Sequence, residues 1–294
     1  MIRIEDPRSK EELDAERDAR DGQRRAFAEK TAAVAGRISR DDLPEAAMLL
    51  AGLLDDDDML DAVGPSEFAS CLLACDGPGP LPDCLLAYIV DLYGMAIEAG
   101  DHRAMCDLGA VYYRGDRGIG QDFGKAVHYY QMAAAHGSRQ AYLNLGYCYY
   151  YGRGMEPDYE KAFQCFAMGA FEGMPASLYK IGDMYLNGYY VRRDEREAFR
   201  IYSHCLEIMD DGSRAIASGP VHLRLGDMYL EGTGTDRDPE QALRHYHEAE
   251  IMLYRMIMNG DHMYKKSLQR AIEGQSKARS LLADRLPGDE WTLD

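Results

Sequence analysis

AYLNLGYCYYYGRGMEPDYEKAFQCFAMGAFEG, residues 141–173, decides the fold, because its spacing returns three more times along the chain. The Leu145-Gly146 pair recurs as Leu108-Gly109, Ile181-Gly182 and Leu225-Gly226, with successive glycines 37, 36 and 44 residues apart. Three positions after each glycine stands a tyrosine (Tyr112, Tyr149, Tyr185, Tyr229), and three further on another glycine (Gly115, Gly152, Gly188, Gly232). Self-similarity at a period of about 20–50 residues marks an array in which each unit buries its apolar face against its neighbours.

One unit can be followed residue by residue. Ala104, Leu108, Val111 and Tyr112 fall at i, i+4, i+7 and i+8, one apolar stripe of an amphipathic helix. Gly109 sits in mid-helix, where glycine costs about 1 kcal/mol against alanine. The same cost at four equivalent positions predicts that a partner approaches too closely there for a side chain. The next glycine suits the left-handed residue that ends a helix. After a short loop, Asp122, Asp158, Asp194 and Asp238 are placed to cap a second helix. Glu197 and Gln241 stand where a capping box has its second member, and Pro239 suits a first helical position.

The second helix carries alanine and an aromatic on one face: Ala126/Tyr130, Ala162/Phe166, Ala198/Tyr202 and Ala242/Tyr246. A small residue follows the aromatic by three (Ala133, Gly169, Cys205, Ala249), and Gly137 and Gly173 stop the first two of these helices. Two antiparallel helices on a short loop form the hairpin that stacks into superhelices.

The full pattern, Ala-x-x-x-Leu-Gly-x-x-Tyr-x-x-Gly-x-Gly, an aspartate, then Lys-Ala-x-x-x-(Tyr/Phe)-x-x-Ala-Ala and a glycine, resembles the Sel1-like repeat, a relative of the tetratricopeptide repeat. Residues 141–173 fit best, and residues 104–137 fit with one extra loop residue that moves the second loop glycine to Gly118. The third unit has Tyr190 at that glycine, and its second helix runs into Asp210-Asp211-Gly212 with a longer link onward. The fourth keeps Gly232 and Gly234 but has Glu250 in place of the second alanine. The resemblance implies an all-α, right-handed α-α superhelix of antiparallel helix pairs, with repeats at about 101–137, 138–173, 174–216 and 217–259.

The flanks are expected to be helical. Residues 41–100 read as an N-terminal cap containing a degenerate repeat. Its helices fall near 66–75 and 82–99 and are split by Gly77-Pro78-Gly79-Pro80. Residues 1–40 read as a charged helix, either loosely docked or partly disordered, and residues 260–294 as a capping helix and a tail bearing Trp291. The net charge of −17 disfavours nucleic acid, which binds clustered Lys and Arg. No stretch approaches about 20 apolar residues, and the start of the chain is charged, so no membrane segment and a cytoplasmic location are expected.

The seven cysteines share no register. The spacing of Cys71, Cys75 and Cys84 is read as small buried residues rather than a metal site. His245 and His247 point to different helix faces, and His128, His136 and His204 have no matched partner. Asp55 to Asp58 lack the glycine and distal glutamate of a calcium loop. No cofactor, metal or catalytic group is expected.

What remains is a surface. The resemblance implies that first helices line a concave groove, and the stripe beside the core positions supplies candidate partner-binding residues. These are Tyr113 and Arg114; Leu143, Tyr147, Tyr150 and Tyr151; Tyr179, Asp183, Leu186 and Asn187; and Asp227 and Glu231. Tyrosine offers large contact area at low entropy cost. The alternative is that these tyrosines pack between adjacent repeats. The expected function is a non-catalytic scaffold that binds a protein or peptide carrying basic residues and apolar anchors. Two other readings stay open. One is a hydrolase of the cysteine-rich, β-lactam-related type, although no Ser-x-x-Lys pair stands in a credible site: Ser276-Lys277 are adjacent and Ser267 follows Lys266. The other is a homo-oligomeric structural protein.

Overall fold

The computed structural model describes residues 64–284 apart from 75–80, 82, 116, 210 and 260, together with the helical positions 22 and 29. The expectations for residues 1–40, for Asp55 to Asp58, for the side chains of Cys71, Cys75 and Cys84 and for Trp291 lie outside the described residues. Two compact units divide the chain, 1–138 and 139–294. Among the described residues no strand occurs, and no helix is long and apolar enough to cross a membrane.

In the first unit, α1 (Pro65–Ala74) and α2 (Asp83–Glu98) pack together as a helical hairpin. Phe68 and Leu72 of α1 and Ile89, Leu92 and Tyr93 of α2 are fully buried, and the Tyr93 hydroxyl lies 2.9 Å from that of Ser70. Next come α3 (His102–Arg114) and α4 (Phe123–Ala135), the first complete repeat. The second unit holds three more hairpins: α5 (Arg139–Tyr151) with α6 (Tyr159–Phe171), α7 (Pro175–Asn187) with α8 (Glu195–Ile208), and α9 (Asp211–Glu231) with α10 (Pro239–Met258). A short 3-10 turn, His262–Tyr264, leads to α11 (Lys265–Ala283), which packs on α9 and α10.

The repeated residues do local work that their spacing foretells. Asp122, Asp158 and Asp194 each accept from the backbone N–H three residues on, at 2.9, 3.0 and 3.0 Å, and Asp238 accepts from Glu240 and Gln241. Each cap satisfies a donor that the helix cannot, a contribution of about 1 kcal/mol. The mid-helix glycines face the aromatic ring of their own second helix. A Cβ would lie 2.7 Å from Tyr130 at Gly109, 2.6 Å from Tyr202 at Gly182 and 2.8 Å from Tyr246 at Gly226, and it would strike Phe166 at Gly146.

Two departures from the repeat pattern resolve differently from one another. Tyr190 keeps the left-handed conformation of the glycine it replaces (φ 64°), its ring 5.6 Å from that of Phe163. The link expected at 210–216 is instead helix: α9 begins at Asp211 and runs through Pro220. A proline inside a helix forfeits one hydrogen bond and crowds the preceding turn. Tertiary packing overrides that signal, because Ser218, Gly219, Pro220 and Val221 are all buried and a Cβ at Gly219 would lie 3.1 Å from Leu253 of α10.

Candidate partner-binding site

Two positions on each first helix, one just after the mid-helix glycine and one two residues before it, carry the polar chemistry of the second unit. In repeat three the residue after Gly182 is Asp183, buried with 2 % of its surface exposed. Tyr202 of α8 donates its hydroxyl to Asp183 Oδ1 at 2.7 Å, and Arg224 Nε, two residues before Gly226 on α9, donates to the same oxygen at 2.9 Å. Lys180, two residues before Gly182, pairs with Oδ2 at 2.8 Å. Burial by itself would raise the Asp183 carboxyl, but the charges of Arg224 and Lys180 outweigh it and hold the carboxyl at about 2. Repeat four builds the same figure: Tyr246 donates to Asp227 Oδ1 at 2.9 Å, and Arg270 of α11 pairs with Asp227.

Repeat two has a ring after its glycine and Asn144 two residues before it, with neither an acid nor a cation at these positions. Its second-helix aromatic, Phe166, has no hydroxyl to satisfy, and the residue after Gly146 is Tyr147. The Tyr147 and Tyr179 hydroxyls share a hydrogen bond of 3.2 Å between α5 and α7. The Lys180 ammonium lies 4.1 Å from the ring centroid of Tyr150, 5.5 Å from Tyr151, 5.7 Å from Tyr179 and 5.9 Å from Tyr147. Four electron-rich faces and one carboxylate thus neutralise a buried cation. Burial pushes the phenols of Tyr147, Tyr150 and Tyr179 up, so they act as neutral hydrogen-bonding groups.

The candidate residues separate by depth. Leu143, Tyr179 and Asp183 are buried, so they brace the interior rather than line an open groove. Tyr147 and Tyr150 are half-buried between helices, the packing role that the alternative reading of the tyrosines describes. Tyr151 is 51 % exposed. Leu186, Asn187, Asp227 and Glu231 come together in a cleft of about 420 Å³, which Arg270, Glu273 and Lys277 of α11 also line. Tyr113 and Arg114 belong to the other unit, where Tyr113 packs edge-on to Phe123 at 5.3 Å and Arg114 is exposed. Lys180, Tyr202, Arg224 and Arg270 are members that reading one repeat at a time misses. Aligning the glycines exposes a signal for the third and fourth repeats, a cation two residues before and an acid one residue after.

Groups that could suggest chemistry are held otherwise. One Ser-x-x-Lys spacing does occur, at Ser177 and Lys180. The Ser177 hydroxyl is buried against Gly169 of α6 with no hydrogen-bond partner, and Lys180 is committed to Asp183. Burial pushes the thiols of Cys148 and Cys205 up to about 12 and that of Cys165 up to about 11. Such thiols are not nucleophiles near neutrality.

The Sel1 repeat profile matches residues 102–138, 139–170, 175–203 and 221–250. Among solved structures, the chain is similar to a Sel1 repeat protein from Oxalobacter formigenes (24% identity, 69% of this chain and 78% of that one, TM-score 0.53). It is also similar to a protective antigen of uropathogenic Escherichia coli that displays an SLR fold (26%, 67% and 49%, TM-score 0.42). A third is an immunity protein of Pseudomonas aeruginosa, Pa5087 (20%, 75% and 80%, TM-score 0.42). No curated protein matches by sequence. With four profile matches in the register of the four hairpins from α3 to α10, the chain belongs to the Sel1 repeat family.

Proposed function

We propose that this chain is a non-catalytic scaffold that holds a basic peptide or partner helix against the first-helix face of its repeats. Sel1 repeats commonly serve as protein–protein interaction scaffolds. The observation that supports this reading is the run of solvent-facing groups on consecutive first helices of one unit. Tyr151 lies on α5, Asn187 on α7 and Glu231 on α9, the last two in a cleft with Asp227 and Glu273. The Tyr151 ring and the exposed Glu231 carboxylate suit a segment with an apolar anchor and a Lys or Arg, and the net charge of −17 draws such a segment in. Tyr113 and Arg114 offer the equivalent positions in the first unit.

The test uses surface positions, because Tyr147 and Tyr150 also hold the interior together. Wild type and the Tyr151→Ala/Glu231→Lys variant are compared in affinity capture from native lysate, with folding checked by circular dichroism. A partner lost with the folded variant is the expected result. Equal capture by both proteins sinks the assignment of this face.

A further inference from the structure

We propose that His222 and His245 form a binding site for a divalent transition-metal ion of the copper or nickel kind. The two residues lie 23 apart in sequence, on α9 and α10 of repeat four, with their Nδ1 atoms 2.9 Å apart and ring centroids at 5.2 Å. Both are half-buried. Tyr229 stacks on His245 at 5.5 Å and 12°, and Phe199 of α8 packs edge-on against Tyr229 at 5.3 Å, so the His245 ring is held in place from behind.

The separation of the nitrogens lets one ion reach both. Imidazole nitrogens bind at about 2.0–2.1 Å, which puts two of them roughly 3.3 Å apart at a tetrahedral angle but about 2.9 Å apart at a right angle. The observed 2.9 Å is that of a hydrogen bond between the rings, and it leaves the two nitrogens close enough to serve as neighbouring ligands on a tetragonal Cu²⁺ or Ni²⁺ ion. Among the described residues no group of three or more His, Cys, Asp or Glu is placed to hold an ion. The remaining coordination positions therefore fall to water. This site is independent of the partner-binding face.

The experiment uses the full chain without an affinity tag. Pulsed electron paramagnetic resonance at one equivalent of Cu²⁺ should count two equatorial imidazole nitrogens. In calorimetry with Ni²⁺, affinity should fall about tenfold or more in His222→Gln and in His245→Gln, and should hold in His204→Gln, an exposed histidine on α8. A wild-type signal from one imidazole or none overturns the proposal, as does Ni²⁺ affinity unchanged by both ligand substitutions. Should a variant fail to fold, the imidazole count on the wild type decides.

Discussion

In repeat two the ring lying against the mid-helix glycine is Phe166, and the side chain after that glycine is Tyr147; in repeat three the same positions hold Tyr202 and Asp183. The two hairpins share the aspartate that caps their second helix, their glycine contact and their helix lengths to within one residue. What differs is a single hydroxyl and what must be done about it. A buried phenol needs an acceptor, so Asp183 stands opposite Tyr202; a buried carboxylate needs cations, so Lys180 and Arg224 follow. The junction with the next repeat is then electrostatic where repeat two makes it aromatic. Lys180 is the seam, its ammonium among the tyrosines of one repeat and on the aspartate of the other.

The strongest way to break the contrast is Asp183→Asn. It leaves two cations around a neutral amide and should lower stability by about 3–5 kcal/mol. Tyr147→Phe in repeat two, which removes one hydroxyl pair, should cost only about 1 kcal/mol. Urea denaturation of both variants measures the difference, and similar losses would contradict the division into ionic and aromatic junctions. Acid sharpens the same point. The Asp183 carboxyl is held at about 2 against an ordinary value near 3.8, so the stability it contributes is present above about pH 4 and is lost as pH falls towards 2. That amounts to about 2 kcal/mol. Denaturation midpoints between pH 5 and 2 should fall more steeply for the wild type than for Asp183→Asn.

A smaller effect is expected from giving repeat two the hydroxyl it lacks. Phe166→Tyr places a donor opposite Tyr147 rather than a carboxylate and should cost roughly 1–2 kcal/mol. Adding Tyr147→Asp supplies both the acceptor and, in Lys180, its cation, so the double variant should be more stable than the sum of the single changes. A thermodynamic cycle with no coupling would show that the positions are independent. The least effect is expected at the thiols. With Cys148, Cys165 and Cys205 pushed up to between about 11 and 12, both repeats should resist a thiol reagent at pH 8 until denaturant is added.

The features legible in the sequence are those decided within a few residues. Asp122, Asp158, Asp194 and Asp238 cap helices because a cap needs only the next three backbone N–H groups. The glycine of each first helix also speaks plainly, since its cost recurs at one register. Less legible is whatever depends on the neighbouring repeat. Tyr179 and Asp183 stand on the stripe that the sequence assigns to the groove, yet α8 and α9 enclose them, and Arg224 reaches Asp183 from 41 residues away. Gly219-Pro220 reads as a helix breaker until the packing of Leu253 against it is known. His222 and His245 likewise fall on different helices at no recognisable spacing, and only the hairpin joins them.

The ring of Tyr246 has a property that no other second-helix aromatic shares: glycines press on it from two sides, Gly226 of its own hairpin and Gly274 of α11. The helix α11 therefore plays the part of a first helix while lacking a second helix of its own among the described residues. Its buried positions, Ala271, Gly274, Gln275 and Ala278, all turn back toward the array, and Gln275 donates to Glu250 of α10 at 2.5 Å. In terms of how such chains grow, the polar outer face of α11 offers a further hairpin little to pack on. A hairpin copied into this unit by duplication finds a matching surface on its upstream side, whereas one added beyond α11 would meet a helix face of Lys266, Gln269, Glu273 and Lys277.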